Sequence, residues 1–317
     1  MLTRRSFLAL LAGLPLAGLA STGWTLSAKS ESGFGIPITM FHKVDNTPRH
    51  PEDLSPQQLR AVFDAAWDQG FYPVNVSDIL AGRVDSLVPK GGKPMGVTID
   101  DAHQSTVFAG NTVEGRPNSR SFVDVFEESC AASGRVPRAT FFLAEDSDDR
   151  VPGLEGYFGD NSRILEALER ITSHPGLEAA FHTRRHKLVK NLGYEAMHAL
   201  MEEQIHQLDK LGALPMMTRI FSYPYGIPCA ATGIQALRDL GFAGAVIARP
   251  GLGEGYKGDD PLCLYDAELR DDPFLLPRMN IGAGGYGPDF SETRMDPLHD
   301  LDKDVLSRSG LYFSKGI

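Results

Sequence analysis

Short apolar runs recur along the chain from Ile36 onward, and the segments between them return an apolar residue every three or four positions. Such runs read as buried strands and the intervening pattern as helices, the alternation expected of a parallel sheet covered by helices. The spacing predicts strands over Ile36 to Phe41, Tyr72 to Val76, Met95 to Ile99, Arg138 to Leu143, Leu177 to Phe181, Thr218 to Ser222, Ala243 to Ile247 and Leu275 to Ile281. Ser55 and Pro56 open a helix that runs to Gln69, because serine caps unpaired N–H groups and proline has none to leave unpaired in a first turn. Tyr194 to Leu211 keeps the helical period throughout. Seven or eight such units, with no glycine-rich dinucleotide fingerprint and no internal repeat, predict an α/β fold. Its expected form is a distorted, closed or nearly closed β/α barrel rather than a doubly wound sheet.

The ends of the chain break this pattern. Arg4 and Arg5 precede an apolar stretch, Phe7 to Ala20, that closes on small residues, as export signals do. Its 14 residues fall short of a membrane span, which needs about 20. Thr3-Arg4-Arg5-Ser6-Phe7-Leu8 resembles the twin-arginine signal of bacteria, and an ordinary secretory signal holding two arginines is the alternative. Both predict a periplasmic or secreted protein with no stable membrane span after signal removal. Residues 1–20 are thus expected to be a signal, 21–35 a Ser/Gly-rich linker, 36–282 one catalytic domain and 283–317 a polar tail.

Charge and cysteine content narrow the partners. The formal net charge of -10 becomes about -12 once Arg4 and Arg5 leave, and no Lys/Arg run is dense enough to supply nucleic-acid phosphate contacts. Cys130, Cys229 and Cys263 form no metal signature; a Cys229–Cys263 bridge and free buried thiols both stay open.

In a barrel, chemistry collects where strands end and loops begin. His42 follows the first strand, Asp100 and Asp101 the third, His182 the fifth and Tyr223-Pro224-Tyr225-Gly226 the sixth, while Arg278 lies within the last. Asp101, His182 and His186 would offer a divalent metal one oxygen and two nitrogens, a set that suits zinc, with cobalt or nickel as alternatives. Asp100 would stay free to take a proton from water. Singly, each signal has a plain counterpart: a carboxylate doublet can cap a helix, and histidines four apart can sit on a helix surface.

Together these motifs resemble the polysaccharide deacetylases that share the NodB homology domain, also called carbohydrate esterase family 4. The similarity covers Ile36 to Gly282. It rests on Thr98-Ile99-Asp100-Asp101-Ala102, on His182-Thr183-Arg184-Arg185-His186, on Ala139-Thr140-Phe141-Phe142-Leu143 and on Ile38-Thr39-Met40-Phe41-His42. The resemblance implies a NodB-like barrel, Asp100 as general base, and Asp101, His182 and His186 as metal ligands. It also implies that Pro224-Tyr225-Gly226 lines the substrate groove, with the Tyr225 backbone N–H on the oxyanion. The implied reaction is metal-dependent removal of acetyl groups from an N-acetylated, or O-acetylated, carbohydrate polymer or oligosaccharide.

Several points stay open. Arg278, in Leu276-Pro277-Arg278, and Arg219 both qualify as the guanidinium that keeps Asp100 ionised, with Arg278 favoured. The family's Leu-x-His strand is missing, which leaves Asp100 or His42 to protonate the leaving group, and His299 takes no role. This absence and Ala102 also admit a catalytically inactive carbohydrate-binding barrel, and the same ligands would serve an amidase on a non-sugar amide. His50, His103, His174, His198 and His206 read as surface residues, and Tyr157, Phe158, Tyr223 and Tyr225 as possible faces for sugar rings.

Overall fold

The computed structural model describes residues 36–48, 52–101, 103–111, 117–144, 161–248, 264–265 and 272–281. The expected signal, linker and tail lie outside these residues. Eleven strands are described, with helices between most of them. In chain order they are β1 (Ile36–Phe41), α1 (Pro56–Asp68), β2 (Phe71–Val74), α2 (Val76–Leu80), α3 (Val84–Leu87), β3 (Lys93–Ile99) and α4 (Gln104–Val107). A small hairpin, β4 (Gly110–Asn111) and β5 (Pro117–Asn118), leads to α5 (Phe122–Ala132), β6 (Ala139–Leu143), α6 (Asn161–Thr172) and β7 (Leu177–Phe181). Then come α7 (Tyr194–Lys210), β8 (Met217–Ser222), α8 (Ala231–Asp239), β9 (Gly244–Ala248), β10 (Leu264–Tyr265) and β11 (Leu276–Asn280).

Seven parallel strands make a nearly closed barrel in the order β1-β3-β6-β7-β8-β9-β11, with β11 returning to β1. The expected unit at Tyr72 to Val76 is a correction. β2 ends at Val74 and runs along the outer flank of β3, where Gly96 pairs with Val74 on one side and with Ile38 of β1 on the other. Asn75 then caps α2, and the Val76 N–H donates to Thr140 Oγ1 at 3.0 Å, so the residues expected to extend the strand turn into a helix instead.

Side chains alternate across a strand, so residues of one parity share a face. Here the even residues face the lumen. Ile38, Phe142, Ala180, Ile220, Val246 and Leu276 form one buried cluster, with Ile79 of α2 plugging its lower end. A Cβ on Gly96 would come within 3.1 Å of Ile38 and 3.2 Å of Ile79, which explains the glycine under the plug. The odd residues, such as Phe41, Val97, Ile99, Phe141, Phe181 and Phe221, join the larger cluster beneath the helices. Trp67 belongs there, stacked on Phe63 with its indole N–H donating to Ser129 Oγ at 2.8 Å, and offers no sugar platform.

At the lower end of the lumen Glu178 accepts from Thr140 Oγ1 at 2.6 Å and from the Ser77 N–H at 3.2 Å. Burial pushes its carboxyl above the usual range despite these donors. A raised folded-state pKa means that stability is lost as pH climbs through it. Glu178→Gln is therefore expected to raise the melting temperature, with a larger gain at pH 8 than at pH 4. A melting series showing no pH-dependent gain would contradict this.

Candidate metal centre

At the upper end the same even parity delivers His42, Asp100 and His182, each just past its strand, together with Ser222 of β8 and Arg278 of β11, to the barrel mouth. The Asp100 N–H donates to Phe41 O at 2.8 Å, which prolongs the β1–β3 pairing by one residue. Asp101 then takes a left-handed conformation, φ 65°. Aspartate tolerates this region better than most residues. The loop after β7 turns in the same way at Thr183 (φ 60°) and His186 (φ 48°), with Thr183 Oγ1 accepting from the Lys187 N–H at 2.8 Å. These turns bring His186 back over His182, with ring centroids 4.9 Å apart. The pair lies on a wound loop, not on a helix face.

Asp101, His182 and His186 converge: one donor atom from each lies within 4.8 Å of the others. His182 Nε2 is 3.2 Å and His186 Nε2 3.3 Å from the same oxygen, Asp101 Oδ1. The hydrogen-bond pattern says what this arrangement wants. His182 Nδ1 lies 2.8 Å from the Ser222 carbonyl, which can only accept, so Nδ1 carries a proton and Nε2, turned to Asp101, is the nitrogen placed to bind a metal. Burial holds the His186 imidazole below its ordinary value, which favours the neutral ligand form. Burial works against Asp101, yet His186 and His182 hold its carboxyl far below the usual range. An anionic oxygen and two imidazole nitrogens, one ring oriented by a carbonyl behind it, fit a divalent transition metal.

Asp100 is held differently. Arg278 grips it with both ends, Nη1 to Oδ1 at 2.5 Å and Nη2 to Oδ2 at 2.7 Å, while the Ser222 hydroxyl donates to Oδ2 at 2.9 Å. The guanidinium is itself fully buried and fixed by Thr98 Oγ1 at 3.2 Å, Ser222 Oγ at 2.9 Å and Ile247 O at 3.3 Å. Burial alone would raise the Asp100 pKa, but Arg278 and then His182 keep it lowered and the group ionised. Arg219, the other candidate, instead lies over Phe181 and Phe242, 5.6 Å from each ring, and has no part in the site.

No family model and no curated sequence matches the chain. Solved structures do. The deacetylase PplD of Streptococcus pyogenes, in complex with acetate, superposes with a TM-score of 0.53 at 17% identity, over 83% of this chain and 99% of that one. BA0330 of Bacillus anthracis, assigned to the polysaccharide deacetylases, gives 0.52 at 18% identity, over 82% of this chain and 68% of that one. The fold is that of the polysaccharide deacetylases.

Within this deacetylase fold, His42 ends up beside the two carboxylates. Burial opposes its charge, but Glu52, Asp101 and Asp100 together hold its imidazole above the ordinary value. Glu52 lies 3.9 Å from His42 Nε2 and is fixed by Asn280 Nδ2 at 2.8 Å. Tyr225 sits in a short 3-10 turn, Pro224–Gly226, in which it (φ 59°) and Gly226 (φ 65°) are both left-handed. A Cβ at Gly226 would collide with Ala248, so the turn requires glycine. The Tyr225 ring packs on His186, 4.5 Å between centroids, and is 44% exposed.

Two sequence expectations are corrected. Tyr223 is fully buried against Phe221 and offers no face to a sugar. His103 is buried rather than on the surface, capping α4 by accepting from the Ser105 N–H at 3.2 Å, and burial lowers its pKa to about 4. Cys229 is a buried free thiol, like Cys130; Cys263, Tyr157, Phe158, His50 and His299 lie outside the described residues. The sequence reading also passed over Ser222, which touches both Asp100 and His182. Its only signal was position: it closes β8 on the lumen-facing parity.

Proposed function

We propose that the protein is a metal-dependent hydrolase that removes acetyl groups from an N-acetylated carbohydrate. The observation that carries this reading is the separation of two adjacent carboxylates into different tasks. Asp101 joins two imidazoles in a cation-seeking cluster, while Asp100 is paired with Arg278 and stays ionised beside it. A divalent cation held by Asp101, His182 and His186, with zinc the first choice and cobalt or nickel as alternatives, supplies Lewis acidity that polarises a carbonyl and activates water. The protein's own groups do the rest. Asp100 takes the proton from the attacking water, and Arg278 and Ser222 keep that carboxylate oriented. The Tyr225 N–H, in its strained turn, faces the oxyanion that develops on the acetyl group. His42, whose pKa Glu52 and the aspartates raise against the opposing effect of burial, gives a proton to the departing amine. The barrel shared with a deacetylase solved with acetate supports the same reaction class.

Among the described residues no helix is long and apolar enough to cross a membrane. The twin-arginine-like segment at Arg4 and Arg5 supports export to the periplasm or beyond.

Purified protein is expected to contain about one divalent metal per chain and to release acetate from N-acetylated oligosaccharides. A chelator should abolish the release, and added zinc or cobalt should restore it. A chelator-insensitive rate, or no acetate from metal-loaded protein on any acetylated sugar, refutes the proposal.

A further inference from the structure

Two groups that could move protons, Asp100 and His42, stand at the barrel mouth, and β11 backs both. It sends Arg278 to Asp100 and, two residues on along the same face, Asn280 to Glu52. Asn280 pairs with Met40 of β1, and His42 is the next residue of Met40's parity. Asn280 Nδ2 donates to Glu52 Oε1 at 2.8 Å, while Glu52 Oε2 faces His42 Nε2 at 3.9 Å. The backbone brings Glu52 back to this place. The Asp45 N–H donates to Leu54 O and the Leu54 N–H to Lys43 O, each at 3.0 Å, so the chain that leaves His42 is tied to the chain that follows Glu52. Val44 and Leu54 bury the apolar side of this ladder, and Ser105 Oγ accepts from the Val44 N–H at 3.2 Å.

The His42 ring has one nitrogen to offer. Nδ1 is buried, with no hydrogen-bond partner among the described residues, so proton exchange with a substrate falls to Nε2, the nitrogen beside Glu52. Burial works against a charge on this ring, and Glu52 is the strongest of the acids that outweigh it, ahead of Asp101 and Asp100, with Arg278 opposing them. Acetyl derivatives differ in how much they need such an acid. Water adds its oxygen to the acetyl carbon as Asp100 takes its proton; the bond to the leaving atom then breaks, and its electron pair goes to that atom. An amide anion is too basic to leave, so a departing nitrogen must take the Nε2 proton of His42. The proton on Asp100 returns to His42 and the acetic acid ionises. A sugar alkoxide needs less help than nitrogen does, and an aryl oxide leaves with none.

We propose that Glu52, fixed by Asn280, is a specificity-determining residue that equips the site for nitrogen leaving groups, by holding the Nε2 proton of His42 ready for the departing amine. This rests on the deacetylase reading above. The test uses metal-loaded protein at neutral pH and three probes: N-acetylglucosamine oligomers, glucose oligomers carrying O-acetyl groups, and para-nitrophenyl acetate. Only the chelator-sensitive rate is counted. In Glu52→Gln, checked for metal content and melting temperature, kcat on the N-acetyl sugar should fall by about tenfold or more, a part of the ~10²–10⁴ that a positioned acid contributes. The fall should be smaller on the O-acetyl sugar and smallest on the aryl ester, with KM little changed. Glu52→Asp, which keeps the charge on a shorter arm, should recover part of the lost N-acetyl rate, and Asn280→Ala should show a weaker form of the same selectivity change. An equal fall on all three probes, or no fall on the N-acetyl sugar, overturns the proposal and leaves the deacetylase reading standing. Acetate released by the unaltered protein from the O-acetyl sugar alone rejects selection for nitrogen and keeps a hydrolase. No acetate from either sugar rejects the deacetylase reading, and this proposal with it.

Discussion

Asp100→Asn is expected to lower kcat for acetate release by about 10²- to 10⁴-fold, the usual contribution of a general base, while metal is still bound. Asparagine keeps the shape of the side chain and an oxygen for Arg278 and Ser222, but it cannot take up the proton of water. Asp101, His182 and His186 are untouched by the change, so metal content measured by atomic emission should match that of the parent. Asp101→Asn is the complementary case: it weakens the anionic corner of the donor set and should lose metal and rate together. Full activity in Asp100→Asn, or metal loss there with metal retained in Asp101→Asn, would reverse the division of labour between the two carboxylates. The melting temperature should fall as well, because Arg278 is fully buried and would lose its counter-charge.

Replacing Arg278 has the second large effect, and its signature is a shift in pH dependence. Arg278 is the leading influence that lowers the Asp100 pKa against the opposing effect of burial. With Arg278→Met, burial is opposed only by the weaker pull of His182 and His42, and the carboxyl pKa rises. A base must be deprotonated to act, so the acid limb of kcat/KM moves to higher pH. Arg278→Lys, which keeps the charge but cannot grip both oxygens, should give a smaller shift. The stability effect has the matching sign. A depressed carboxylate pKa stabilises the fold above the unfolded-state value and loses that contribution as pH falls through the folded one. Arg278→Met removes this contribution, and breaking one partner from a buried pair costs about 3–5 kcal/mol. An acid limb that stays in place in Arg278→Met, with turnover reduced only through lost folded protein, would leave Arg278 a merely structural residue.

Much of the frame was legible along the chain because each strand is short, apolar and followed by a polar break. The strands at Ile36–Phe41 and Leu177–Phe181 match their expected bounds, and the Ser55–Pro56 start of α1 is the capped terminus its residues imply. Where the reading failed, the cause was a partner it could not see. Tyr72 to Val76 looked like another barrel unit, but Asn75 caps a helix and Thr140 takes the Val76 N–H. His103 and Tyr223 looked available, and both are buried by what packs against them.

The site divides along the same line. Local order alone determined which residues could matter: the Asp100-Asp101 doublet, the two histidines four apart, the Tyr225 turn and the parity that carries strand-end side chains into the lumen. These follow from backbone geometry with a period of two, which a sequence displays directly. Only the tertiary structure decided who meets whom. Arg278 reaches Asp100 across 178 positions of chain and Ser222 across 122, and neither distance has a local signature. Arg219 and Arg278 are chemically alike and both sit on predicted strands. Odd parity sends the first under the helices onto two phenylalanines, and even parity sends the second into the barrel, where a buried guanidinium needs a carboxylate and finds Asp100.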